Sequence, residues 1–130
     1  MDWIILWLMG MFLFFLADSI FVGGLMWDFY REKLGSLVGR GEWEINKSAG
    51  LLAYASLSLG LVVLVVPLAR DLLEAILYGA IYGLGVYGVY DFTNASIFKK
   101  YPNALVFTDL IWGIFVSAVV AGVVFCFSGF

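Results

Sequence analysis

Four long apolar runs, separated by short clusters of charge, organise the chain. Residues 3–27 are interrupted only by Asp18, and 48–69 carry no charge. Residues 72–94 hold Glu74 near their start and Asp91 near their end, while 104–128 hold Asp109 alone. Runs of about 20 to 26 residues are long enough to cross a bilayer as tilted helices, so the pattern predicts four transmembrane helices in one domain. The 28–47 connection is long, Arg70-Asp71 reads as a tight turn helped by Pro67, and Pro102 suits the first turn of span four. In the first connection Tyr30, Leu34, Leu37 and Val38 follow helical spacing with Arg31, Glu32, Lys33 and Arg40 between them. That spacing predicts an interfacial helix or a continuation of span one, with Trp27 and Trp43 as headgroup-level anchors and Arg40-Gly41-Glu42 as a turn. Met1-Asp2-Trp3 and the long apolar run after it lack the basic start and small-residue cleavage site of a signal peptide, so span one is expected to stay in the mature protein.

Composition fits a bilayer solvent. The 130 residues are 64% hydrophobic, 18% aromatic and 13% charged, with a mean hydropathy of +1.03. A soluble domain averages roughly 25% charged. There is no histidine, and Cys126 is the single cysteine, which excludes zinc, haem, copper, iron–sulfur, Cys–His and Ser–His–Asp sites built within the chain. No cofactor is expected and no catalytic residue is assigned. A net charge of -3 argues against nucleic acid as a partner. Arg31, Lys33, Arg40, Lys47, Lys99 and Lys100 lie in the first and third connections, against Arg70 in the second. This asymmetry places connections one and three in the cytoplasm and both termini on the opposite side.

Three aspartates fall inside the apolar runs, where insertion scales charge roughly 2.5 to 3.5 kcal/mol for a carboxylate at mid-depth. Asp18 lies about ten residues before the end of span one, roughly 15 Å deep at the helical rise, and Asp91 and Asp109 lie nearer the same surface. Tyr87, Asp91 and Asn94 share one helical face; Asp109, Trp112 and Gly113 share another. Gly79 with Gly83, and Gly113 with Ser117, form small-xxx-small pairs where helix backbones approach closely. Packed together, Asp18, Asp91, Asn94 and Asp109 form a candidate proton- or ion-binding cluster, with Tyr30, Tyr87, Tyr90, Thr93 and Trp112 in support; a metal there stays undetermined, hard cations suiting the oxygen ligands better than zinc. The alternative is structural: Asp109 accepting from Trp112 or Tyr90, and Asp91 pairing with a lysine or capping a helix that begins at Phe92-Thr93. The remaining tyrosines, Tyr78 and Tyr82, and the phenylalanines Phe12, Phe14 and Phe15 read as packing or lipid-facing residues, and Lys99-Lys100 as an orientation signal.

The run Gly88-Val89-Tyr90-Asp91-Phe92-Thr93-Asn94-Ala95, then Tyr101-Pro102, then Thr108-Asp109-Leu110-Ile111-Trp112-Gly113, resembles the signature of an uncharacterised family of small four-span membrane proteins, the domain of unknown function numbered twenty-one seventy-seven. Asp18, Phe29-Tyr30-Arg31, Leu34-Gly35, Tyr54, Gly60 and Pro67 follow the family order as well, with Phe21 and Tyr101 where the family places tryptophan. The resemblance implies a four-helix membrane protein and no activity. The reading is an all-α integral membrane four-helix bundle whose acidic cluster binds or passes a proton or small cation. Two rivals stand beside it: a structural or assembly subunit of a larger membrane complex, and a lipid-processing enzyme or its accessory using a carboxylate beside Lys99 or Lys100 as base. Expected partners are the lipid bilayer and either further copies of this chain or a larger membrane complex.

Overall fold

Asp2 opens the first helix by accepting the Ile4 N–H at 3.2 Å, an N-cap that satisfies one of the donors every helix leaves unpaired at its start. The computed structural model describes residues 2–38 and 47–129; Trp43 and the expected Arg40-Gly41-Glu42 turn lie outside them. Helix α1 spans Trp3–Leu25, α2 Trp27–Val38, α3 Lys47–Leu68, α4 Leu72–Ile97 and α5 Asn103–Ser128. The described residues contain no strand, and α1, α3, α4 and α5 are each long and apolar enough to cross a membrane. The protein is an all-α, four-span membrane protein.

Two of the spans contain a widened, π-helical turn. In α1 it covers Phe21–Leu25, and the Met26 N–H reaches back to the Phe21 carbonyl at 2.7 Å. Gly23 and Gly24 fall within it, and the chain bends at Met26 before α2 begins. The first connection therefore carries a separate helix rather than an extension of span one. In α3 the wide turn covers Leu61–Val65, just ahead of Pro67. A proline ring presses on the carbonyl four residues back, and the wider turn relieves that contact. At the tight turn Asp71 caps α4 by accepting the Glu74 N–H at 2.8 Å, while Glu74 accepts the N–H of Arg70, the residue before the cap, at 2.9 Å.

Helix association in lipid draws little from hydrophobic burial and depends on close packing. The tightest contact is between α4 and α5, at the small residues expected there. A Cβ placed on Gly79 would sit 2.5 Å from the Ala121 Cβ and 2.7 Å from the Ser117 carbonyl oxygen; one on Gly83 would strike the Gly113 carbonyl and the Ser117 side chain. Helices α1 and α3 are joined by the Trp7 indole donating to the Ala55 carbonyl (2.9 Å) and the Ser58 hydroxyl donating to the Trp7 carbonyl (2.7 Å). Leu6, Phe14, Leu61, Val62, Val65, Val66, Val116, Val120, Ala121 and Val124 fill the space between the pairs. Phe14 is fully buried there, whereas Phe12 and Phe15 face outward.

Residues 47–60 of α3 lean on α1, and it is the Leu61–Leu68 end that packs on α4. The Tyr82 hydroxyl, donating to the Leu57 carbonyl at 2.7 Å, marks where the two helices part. Beyond it, toward the end of the bundle that holds α2 and the 98–102 connection, they leave a cleft between them.

Candidate functional site

The three intramembrane aspartates all lie nearer that end of their helices. Asp18 lies seven residues before Leu25, the last residue of α1, roughly 10 Å from the helix end at 1.5 Å per residue. It is shallower than the expected 15 Å, about 3 Å of the difference arising because the span closes at Leu25 rather than Trp27.

Asp18 is well satisfied. One carboxylate oxygen accepts from the Trp112 indole at 2.7 Å and the other from the Tyr54 hydroxyl at 2.8 Å, tying α1 to α5 and α3. The wide turn beginning at Phe21 lays that ring flat on Trp112, with centroids 4.0 Å apart and planes within 4°. Leaving a buried acceptor without one of its donors costs about 1–3 kcal/mol. Tyr54→Phe and Trp112→Phe are each expected to lower stability by about that much, with a double variant less than additive because the two donors serve one carboxylate. Unfolding midpoints in micelles check this; two unchanged singles would contradict it.

Asp109 accepts from the Tyr30 hydroxyl at 3.0 Å, which anchors α2 to the bundle. The expected donors to Asp109, Trp112 and Tyr90, do not serve it: Trp112 is committed to Asp18, and Tyr90 neighbours Asn94 on its own helix. Burial, and then the Asp109 carboxylate beside it, push the Tyr30 hydroxyl above its ordinary range, so it faces Asp109 as a neutral donor.

Asp91 differs from both. It is wholly buried, and neither carboxylate oxygen has a hydrogen-bond donor in bonding geometry. Its polar neighbours are Asp109 and the Tyr101 hydroxyl. Burial pushes that hydroxyl up to about 12, so Tyr101 too is neutral. Helix α4 continues unbroken through Asp91 to Ile97, so Asp91 caps nothing. No lysine meets it either: among the described residues the one ion pair is Arg70–Glu74, at the opposite end of α4.

Asn94 lies partly buried beside Tyr90 and Tyr101. Tyr87 packs its ring over Gly113, where a Cβ would collide with it. Thr93 is exposed, its carbonyl accepting from Ser96, and does not join the cluster. Two participants escaped the reading of the sequence. Tyr54 stands seven residues inside α3, level with Asp18, and a lone phenol at the depth of a carboxylate was the available signal. Tyr101, 9% exposed, packs with Tyr30, Leu105 and Val106 over the cluster. Among the described residues no three His, Cys, Asp or Glu side chains are grouped to hold a metal ion.

The arrangement is that of an integral membrane protein with a buried acidic cluster near one end of its bundle. The family model described as "Predicted membrane protein (DUF2177)" matches residues 3–126, and the chain belongs to that family. No curated protein and no solved structure matches it.

Proposed function

We propose that the protein binds a proton or a small cation at the Asp91–Asp109 pair. The observation that carries this reading is Asp91 itself, a fully buried carboxyl group whose oxygens have no hydrogen-bond partner in bonding geometry and whose neighbours are another carboxylate and the neutral Tyr101 hydroxyl. Two such groups in a low-dielectric interior do not both stay ionised without a positive charge between them. A proton or a bound cation supplies it, and Tyr30 and Tyr101, held neutral, line the site without doing so. Passage straight through one chain has less support. Beyond the cluster the buried polar side chains among the described residues are Ser58, Ser117 and Ser128, set in an apolar core. The reading is thus a pocket loaded from one end, with any onward route running between copies or through a moving state.

Sodium, potassium and proton flux into proteoliposomes, alongside thermal stability at varied salt and pH, tests the proposal. Ligand-dependent stabilisation that vanishes in Asp109→Asn supports binding. Stability indifferent to every cation and to pH in the parent protein would remove it.

The charge asymmetry supports placing α2 and the 98–102 connection in the cytoplasm, so that the cluster is loaded from there. In a Cys126→Ser background, cysteines at Lys33 and Lys100 are expected to react with an impermeant maleimide only from the cytoplasmic face, and one at Arg70 only from the other. Labelling of Lys33 and Arg70 positions from the same side would contradict the assignment.

A further inference from the structure

The cleft between the diverging halves of α3 and α4 encloses about 380 Å³ and is lined by Asp18, Asp109, Tyr54, Tyr87, Tyr90 and Val86, among others. Its volume falls within the roughly 300–1,000 Å³ usual for small-molecule sites. Its outer rim faces sideways, with Tyr90 60% and Val86 39% exposed, so at this depth it opens toward the acyl chains. Three tyrosines and two carboxylates line it, groups whose aromatic rings and oxygens attract positive charge. None of the described Lys or Arg side chains forms an ion pair with those carboxylates. Behind Asp109 stands Asp91, fully buried and without a hydrogen-bond partner in bonding geometry, so the acidic groups continue inward from the wall of the cleft.

We infer that the cleft between α3 and α4 binds an ammonium group carried on an apolar tail and entering from the bilayer. This rests on the proposed cation site and names the class of cation: the head meets Asp109, Asp18 and the tyrosine faces, and the tail leaves past Val86 and Tyr90 into lipid. Inorganic cations fit this wall less well. They require oxygen ligands on several sides, whereas an alkylated ammonium is held by aromatic faces and apolar contact. The shared chemistry has two sources, an aminophospholipid headgroup or a free lipophilic amine.

The test is equilibrium dialysis of radiolabelled octyltrimethylammonium against the full-length protein in maltoside micelles, with empty micelles as blank. Saturable binding of one probe per chain is expected. Tyr90→Leu, at an exposed rim position that leaves folding intact, is expected to weaken it roughly five- to tenfold. Asp109→Asn is expected to weaken it by more than about tenfold. Competition by dioleoylphosphatidylethanolamine but not by dioleoylglycerol identifies a headgroup as the source; competition by neither, with the probe still bound, identifies a free amine. No saturable binding, binding equal in the parent and Tyr90→Leu proteins, or displacement by dioleoylglycerol would each overturn the inference. If the probe fails while salt or pH still shifts stability through Asp109, the cation site stands and the ammonium assignment alone falls.

Discussion

Asp91→Asn is expected to yield a protein at least as stable as the parent, with a gain of up to about 1–3 kcal/mol, while cation- or proton-dependent stabilisation disappears. The expectation follows from what Asp91 lacks. A buried polar group without a partner costs about that much, and Asp91 is fully buried with both oxygens donorless. Asparagine keeps the shape, removes the charge, and brings an amide N–H to face Asp109. Asp18→Asn should behave in the opposite way. Both oxygens of Asp18 already accept, from Trp112 and Tyr54, so an amide turns an N–H toward a donor and stability falls by about 1–3 kcal/mol. Thermal unfolding followed by circular dichroism in micelles reads both. The signs separate a site from a scaffold: a loss of several kcal/mol in Asp91→Asn would mean that Asp91 neutralises a structural cation, which would favour the assembly-subunit reading.

Gly113→Val should be the most damaging single change in the bundle. A Cβ on Gly113 collides with the Tyr87 ring, and the Gly113 carbonyl in turn blocks any side chain at Gly83. The α4–α5 backbones must separate or Tyr87 must leave its place, and overpacking of this kind costs about 1–3 kcal/mol even for one extra methylene. A branched side chain exceeds that, and the purified yield of folded protein is expected to collapse. Gly113→Ala is the milder version, expected to lose about 1–3 kcal/mol. Pairing it with Tyr87→Leu should recover part of the loss, because the ring that obstructs the methyl is gone. By contrast, Gly50→Ala and Gly85→Ala, where a Cβ meets nothing, are expected to leave stability unchanged. Equal losses at Gly113 and Gly85 would contradict the packing described.

The spans were legible because a bilayer leaves only one way to satisfy backbone polar groups without water, and charge marks where each helix must stop. The α4–α5 contact was legible for a related reason: small residues four apart serve close approach, and Gly79, Gly83, Gly113 and Ser117 meet as the spacing implied. Pairings between aromatic donors and carboxylates were not. Tyr54, Tyr87, Tyr90 and Trp112 all lay within a plausible radius of some aspartate, and periodicity says nothing of how α1 turns against α5. That rotation depends on the wide turn at Phe21–Leu25, which stacks Phe21 on Trp112 and delivers the indole to Asp18 rather than Asp109. A π-type turn adds one residue to a helical repeat, and two adjacent glycines are only a weak sign of it. The isolation of Asp91 was equally hidden: the spacing of Tyr87, Asp91 and Asn94 places them on one helical face, but nothing in the Tyr-Asp-Phe-Thr-Asn run says which donors that face meets.

If Asp91 and Asp109 share one positive charge, infrared difference spectroscopy of the protonated-carboxyl band will read it. Stepping the pH, or adding the binding cation at fixed pH, is expected to change a carboxylic-acid band in the parent protein. That band should be missing in both Asp91→Asn and Asp109→Asn and retained in Asp18→Asn. A band that survives Asp91→Asn unchanged, or a parent protein with no carboxylic-acid signal at any pH and no response to cations, would mean that the two carboxylates share no charge.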